Sequence, residues 1–204
     1  MQNNIFAFVE PSFYGVKYVE YTKKLGYKIL VIVSNKENPK KYGYEEEYDY
    51  LIECDVRDKE EIYKSIKSFK YFNHIIGLLP ATDYATPNTC WAAEKIGLKT
   101  MNYQAAIAAR NKDIARELFT KYNVPSPKYK AVKNYDEAKK FIDLTGYPVV
   151  LKPTNAASSQ FVMLISDQLQ LASAFNELYA FKETYMGFKV KDIYLIEEFM
   201  HGQE

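Results

Sequence analysis

The sequence predicts an α/β protein in two parts, a Rossmann-like parallel sheet followed by an α+β unit. Three observations predict it. In the first half, short and nearly continuous apolar runs (Ile5 to Val9, Lys28 to Val33, His74 to Leu79) alternate with stretches of helical spacing. Strands that apolar are covered on both faces, which is the habit of a parallel sheet with crossover helices. After about Asn111 the rhythm changes to short strands, polar loops and a Pro-rich break at Val124-Pro125-Ser126-Pro127. The chain has 204 residues, 48% of them hydrophobic, enough for a sizeable core. The expected division is 1–111 and 112–204.

Each element has its own warrant. Tyr14 to Leu25 carries apolar residues at helical spacing, and Gly26 stops it. Tyr48 to Cys54 reads as a weaker third strand. Asp58 is placed to cap a helix bearing Ile62, Ile66 and Phe69. Pro87 to Ile96 reads as a helix with Gly97 beyond it. In the second part, Asp113 to Tyr122 is helical and Tyr129 to Val132 is a strand. Asn134 with Glu137 forms a capping-box pattern for a helix closed by Gly146. Tyr147 to Pro153 is a strand, Thr154 to Gln160 a loop of small polar residues, and Phe161 to Ile165 a strand antiparallel to the last. Gln168 to Thr184 is helical, and Ile193 to Phe199 is the final strand.

Composition narrows the function. The 27 basic and 26 acidic side chains give a net charge of +1, and each half is balanced. Neither half has the basic excess that binding a phosphate backbone needs, so nucleic acid is an unfavoured partner. The cysteines are Cys54 and Cys90 and the histidines His74 and His201, too few for a disulfide framework or a His-rich metal site and without the spacing of a zinc motif. No stretch reaches the ~20 apolar residues of a membrane-spanning helix, and no leader pattern is present. The expectation is a soluble, cytoplasmic chain without a membrane partner. Glu10-Pro11-Ser12-Phe13-Tyr14-Gly15 after the first strand is not a dinucleotide fingerprint, and no P-loop occurs.

Four segments carry the chemistry, in order: Arg110-Asn111-Lys112; Val150-Leu151-Lys152-Pro153; Asn155-Ala156-Ala157-Ser158-Ser159; and Glu197 to Glu204. Lysine is a compact point charge suited to phosphate oxygens, and Lys112 opens a helix, whose N-terminus favours anions. Lys152 ends an apolar strand, where an unpaired ammonium is costly. Small residues let a loop backbone approach phosphates closely, and serine hydroxyls can donate to them.

Together these segments resemble the ATP-grasp superfamily of ATP-dependent ligases, most of all the carboxylate–amine ligases. The resemblance implies that 1–111 is a Rossmann-like domain preceding the ATP-grasp domain and that 112–204 is the first of its two lobes. The second lobe, with its magnesium ligands, would lie outside this sequence, which then reads as an N-terminal piece. It implies ATP and Mg2+ as cofactors, and small carboxylate and amine substrates. Lys112, Lys152, Ser158 and Ser159 would meet phosphates. Glu197, Glu198 and Met200 would read adenine, Glu204 would take the ribose hydroxyls, and Thr82 and Asp83 would face the acceptor substrate. The implied reaction makes an acyl phosphate and then an amide, releasing ADP and phosphate; the piece alone is expected to be inactive.

Plainer readings stand beside these. Lys112 can be a surface lysine, Lys152 one half of a salt bridge, the loop an ordinary hairpin connection, and Asp83 a helix cap. A bicarbonate-using activity of the biotin-carboxylase or carbamoyl-phosphate-synthase kind shares the same ATP half, and a non-catalytic nucleotide-sensing module is an alternative of another class. A homodimer is left open. The loop 155–160 contains no glycine, and alanine and serine reach positive φ less readily. It is therefore expected to use ordinary backbone conformations or to form a stiffer lid.

Overall fold

The structure, a computed structural model, describes residues 4–202. The chain forms two compact units, one ending at Ile107 and the other beginning at Ala108.

The first unit contains β1 (Ile5–Val9), α1 (Val16–Lys24), β2 (Lys28–Val33), α2 (Asn38–Tyr42), β3 (Tyr50–Glu53), α3 (Lys59–Lys67), β4 (Ile75–Pro80) and α4 (Thr86–Lys95). A further helix, α5 (Tyr103–Arg110), runs through the end of this unit. The sheet has the order β3-β2-β1-β4, all parallel. The runs in β1 and β2 are its core, with Ile29 to Val33 completely buried, whereas the edge strand β4 leaves Ile76 and Leu79 43% and 40% exposed and is not covered on both faces. Asp58 caps α3 as expected, accepting from the Glu60 N–H at 2.8 Å.

Some boundaries differ from the sequence reading. The first helix begins at Val16, because Phe13–Gly15 winds as a 3-10 turn. His74 likewise ends a 3-10 turn, so β4 starts one residue later. Neither α2 nor α5 was expected. The first spans only Asn38–Tyr42, and the second is a run of Gln, Ala and Ile with little contrast between its faces. Gly15 is required by packing: a Cβ there would lie 1.8 Å from the Ala81 carbonyl oxygen.

The carboxyl ends of β1 and β2 meet at a buried carboxylate. Glu10 is fully buried and holds a left-handed φ of 54°. Its carboxylate accepts from the Ser34 N–H at 2.7 Å and from the Asn38 amide.

The second unit contains α6 (Lys112–Lys121), β5 (Tyr129–Val132), α7 (Tyr135–Thr145), β6 (Val149–Pro153), β7 (Met163–Ile165), α8 (Gln168–Ala180) and β8 (Tyr194–Glu198). Its sheet has the order β5-β8-β6-β7, all antiparallel. One face packs a core of Val132, Ile142, Val149, Leu151, Leu171, Phe175, Tyr194 and Ile196 under α7 and α8. Asn134 caps α7, accepting from the Glu137 N–H at 3.0 Å. The return bond expected of a capping box lands one residue early, from the Lys133 N–H to Glu137 at 2.8 Å. Two expected spans are shorter. β7 begins at Met163 because a tight turn precedes it, and α8 stops at Ala180 before a turn closed by the Glu183–Lys189 bridge.

Candidate functional site

Strand alternation assigns the charged residues of the second unit to the sheet face away from the α7/α8 core. On β6, Val149 and Leu151 point into that core, so Val150 and Lys152 lie on the other face. On β8, Tyr194 and Ile196 are core, so Leu195 and Glu197 share the face with Lys152. Register sets Glu197 against Val150 and Leu195 against Lys152, which makes Lys152 and Glu197 diagonal neighbours. Helix α6 packs on β5 and β8 and brings Arg116 to the same place.

The result is a buried ion triad. Glu197 is 4% exposed. Its carboxylate accepts from the Arg116 Nε at 2.5 Å and, through the other oxygen, from the Lys152 ammonium. Burial pulls the Glu197 pKa upward, but the bonds to Arg116 and Lys152 outweigh it and hold the carboxyl below its ordinary value. The salt-bridge reading of Lys152 is therefore realised, and Lys152 lines the adjoining concavity as well.

That concavity, of about 200 Å3, lies beneath the loop after β6 and is lined by Lys112, Lys152, Pro153, residues 156–160 and Val162. It is smaller than the ~300–1,000 Å3 of a pocket that encloses a whole small ligand, so it has room for part of one. The Lys112 ammonium donates to the Ala156 carbonyl at 2.7 Å, and its backbone N–H donates to Thr154 at 2.9 Å. Arg110 donates to the Asn155 carbonyl at 2.9 Å. Burial, then the positive charges of Arg110 and Lys152, push the Lys112 ammonium down to about 8. Burial is the larger cause and the neighbouring charges the smaller, and together Arg110, Lys112 and Lys152 bring positive charge to this loop and its concavity.

The loop departs from the expected ordinary backbone. Ser158 and Ser159 have φ of 54° and Phe161 has φ of 53°, in the left-handed region where glycine is at ease. Ordinary backbone is overridden because side-chain anchors hold the turn. Asn155 donates to the Lys189 carbonyl at 2.9 Å and accepts from the Lys191 N–H at 3.1 Å. Ser158 meets the Tyr185 hydroxyl at 3.3 Å, and Phe161 stacks on Phe181 with ring centres 4.3 Å apart.

The other expected residues lie as follows. Glu198 ends β8 and accepts from the Lys128 N–H at 2.9 Å. Met200 is 63% exposed just beyond it. Glu204 lies outside the described residues. Thr82 and Asp83 belong to the first unit, where Thr82 begins a 3-10 turn at the end of β4 and Asp83 is exposed. Arg116 has no role in the sequence reading, and Asn155 enters it only as the first residue of the loop. Arg116 is four residues after Lys112 on one helix, and that spacing was a usable signal. Among the described residues, no group of His, Cys, Asp or Glu gathers to hold a metal, and no helix is long and apolar enough to cross a membrane.

Comparison with known proteins bears on the second unit most directly. Residues 110–204 match the family described as phosphoribosylglycinamide synthetase, ATP-grasp (A) domain. A phosphoribosylamine–glycine ligase of Caldanaerobacter subterraneus is 31% identical over 113 residues, 54% of this chain and 26% of that protein. An alanine–anticapsin ligase of Bacillus subtilis is 33% identical over 115 residues, 55% of this chain and 24% of that protein. The fold is that of an L-amino acid ligase from Bacillus licheniformis, with TM-score 0.71 and 18% identity over 99% of this chain and 45% of that one. An ADP complex of N5-carboxyaminoimidazole ribonucleotide synthetase superposes with TM-score 0.75 and 16% identity, over 98% of this chain and 48% of that one. The chain thus spans just under half the length of these solved relatives.

Proposed function

The second unit belongs to the ATP-grasp superfamily of ligases, and from that premise we propose that the chain supplies the nucleotide-holding half of an ATP-dependent carboxylate–amine ligase. The observation that carries this reading is the gathering of Lys112 and Lys152 at one concavity under a small-residue loop, with Arg110 held on the Asn155 carbonyl of that loop. In the reaction so proposed, a carboxylate oxygen of the substrate attacks the terminal phosphorus of ATP and the bond to ADP breaks. An amine then displaces phosphate from the acyl phosphate and gives up a proton to solvent. No side chain of this half need form a covalent bond; its work is to hold and neutralise the phosphates.

The roles follow from present contacts. Lys112 and Arg110 exchange loop carbonyls for phosphate oxygens, and the loop closes over them. Lys152 stays oriented by Glu197 while reaching the phosphate chain. Since both Glu197 oxygens are engaged by Arg116 and Lys152, adenine is read by main-chain groups at the end of β8, with Met200 and Phe199 as apolar walls. The ribose is left to Glu204, and the acceptor substrate to Thr82 and Asp83. The family reading includes Mg2+, but among the described residues no group of His, Cys, Asp or Glu gathers to hold it.

Calorimetric titration of the chain with ATP and ADP tests the reading. Lys152→Ala and Lys112→Met are each expected to weaken binding at least ten-fold, the worth of about 1.5–3 kcal/mol for a charge-assisted bond. Unchanged affinity in both would sink the proposal. The anchored, glycine-free loop favours a second reading, a nucleotide-binding module without catalysis. The native full-length protein binding ATP yet releasing no ADP with any amino acid or with bicarbonate would support it.

A further inference from the structure

The ion triad of the second unit contains a cation that holding phosphate does not directly use. Lys112 and Lys152 line the concavity, and Arg116 is not among its lining residues. Arg116 takes one oxygen of Glu197 through its Nε, and Lys152 takes the other. The side chains are 21% exposed for Arg116, 17% for Lys152 and 5% for Glu197, so the partners in this triad are not interchangeable with water. The Arg116 guanidinium also lies over the Phe119 ring of its own helix, 5.6 Å from the ring centre, which steadies it there. Two cations share one anion, and the positive charge left over belongs to the member that faces the concavity, Lys152. After burial, the charges that act on Lys112 include Lys152, which loosens its proton, and Glu197, which tightens it, so the balance of the triad is felt across the site.

Resting on the nucleotide-holding role given above, we propose that Arg116 is a positioning residue for phosphate binding: it holds the Glu197 carboxylate and so frees the charge of Lys152 for the phosphate chain. A buried carboxylate stripped of its partner is costly. With Arg116 in place, Lys152 turns N–H donors toward a phosphate while Glu197 keeps a charged partner. Without Arg116, Lys152 and Glu197 close into a neutral pair, and the site loses a charge although every group that meets phosphate is still present. Arginine suits this position. Its guanidinium is always charged and is more weakly hydrated than an ammonium, so it accepts burial more readily.

Calorimetric titration of the native full-length protein with inorganic tripolyphosphate and with adenosine tests the role, since the first probes the phosphate site alone and the second carries no phosphate. Arg116→Gln is expected to bind tripolyphosphate about ten-fold more weakly, the scale of one charge-assisted bond, and adenosine as before. The double variant Arg116→Gln, Glu197→Gln again leaves one uncompensated cation, Lys152. Its tripolyphosphate affinity should return to within about three-fold of the parent. It also leaves no buried carboxylate unpaired, so it keeps the test open if the single variant folds poorly. The proposal is overturned by undiminished tripolyphosphate affinity in Arg116→Gln, by an equal loss of adenosine affinity, which marks a purely structural part, or by a double variant about ten-fold weaker than the parent. Lys152→Ala and Lys112→Met separate it from the reading beneath it. Unchanged tripolyphosphate affinity in both takes down the nucleotide-holding role and this one with it. A loss in both, beside none in Arg116→Gln, takes down the Arg116 role alone.

Discussion

Glu197 shows how one residue can serve both stability and a site. A buried carboxylate between two cations is tolerated because each of its oxygens has a charged donor. Glu197→Gln keeps the shape and removes the charge, leaving Arg116 and Lys152 side by side without an anion. The variant is expected to lose about 3 kcal/mol of stability, the cost of breaking a buried pair from one side, read by urea denaturation of the second unit. A loss under about 1 kcal/mol, the worth of a surface pair, would mean the triad is effectively solvated. From sequence alone Lys152 stood out, because an ammonium at the end of Val149-Val150-Leu151 needs an account. Its pairing with Glu197 did not, because that depends on the β6–β8 register across 45 residues and on where α6 crosses the sheet. Local patterns carry no record of such a register.

At the scale of elements, the apolar runs and caps were legible because they rest on nearest-neighbour chemistry. The loop expected over 154–160 is there but runs on through Val162, and it uses left-handed rather than ordinary backbone. Propensity says that serine avoids positive φ, whereas the anchors at Lys189, Lys191, Tyr185 and Phe181 are tertiary and override it. Each left-handed serine costs roughly 1 kcal/mol or somewhat more, and glycine would relieve that while adding about 0.4–1 kcal/mol of unfolded-chain entropy. The double variant Ser158→Gly, Ser159→Gly is therefore expected to keep its overall stability within about 1 kcal/mol. Its loop should open more readily, since the Ser158–Tyr185 contact is gone. Amide hydrogen exchange should quicken at 157–161 and not in β6 or α8. Equal protection in variant and parent would show that the strained backbone is held by something other than these side chains.

The two units have separate cores, and each contains a buried glutamate that titrates in the opposite sense. In the first unit, burial raises the Glu10 pKa in spite of the bonds from Ser34 and Asn38. A raised carboxyl favours folding fully below the ordinary glutamate pKa, and that contribution is lost as pH rises through the raised value. In the second unit the Glu197 pKa is lowered. Its contribution is full above the ordinary value and is lost as pH falls through the lowered one. Calorimetric scans taken from neutral pH downward should then separate the units. The transition of the first should rise as Glu10 takes up its proton, while that of the second holds. Below the ordinary glutamate pKa of about 4.3 the second should fall. Glu10→Gln assigns the transitions, because it should abolish the early rise and leave the acid-side fall untouched. Parallel movement of both transitions at every pH would mean that the units unfold as one body, and that neither carboxylate governs the response of its own core.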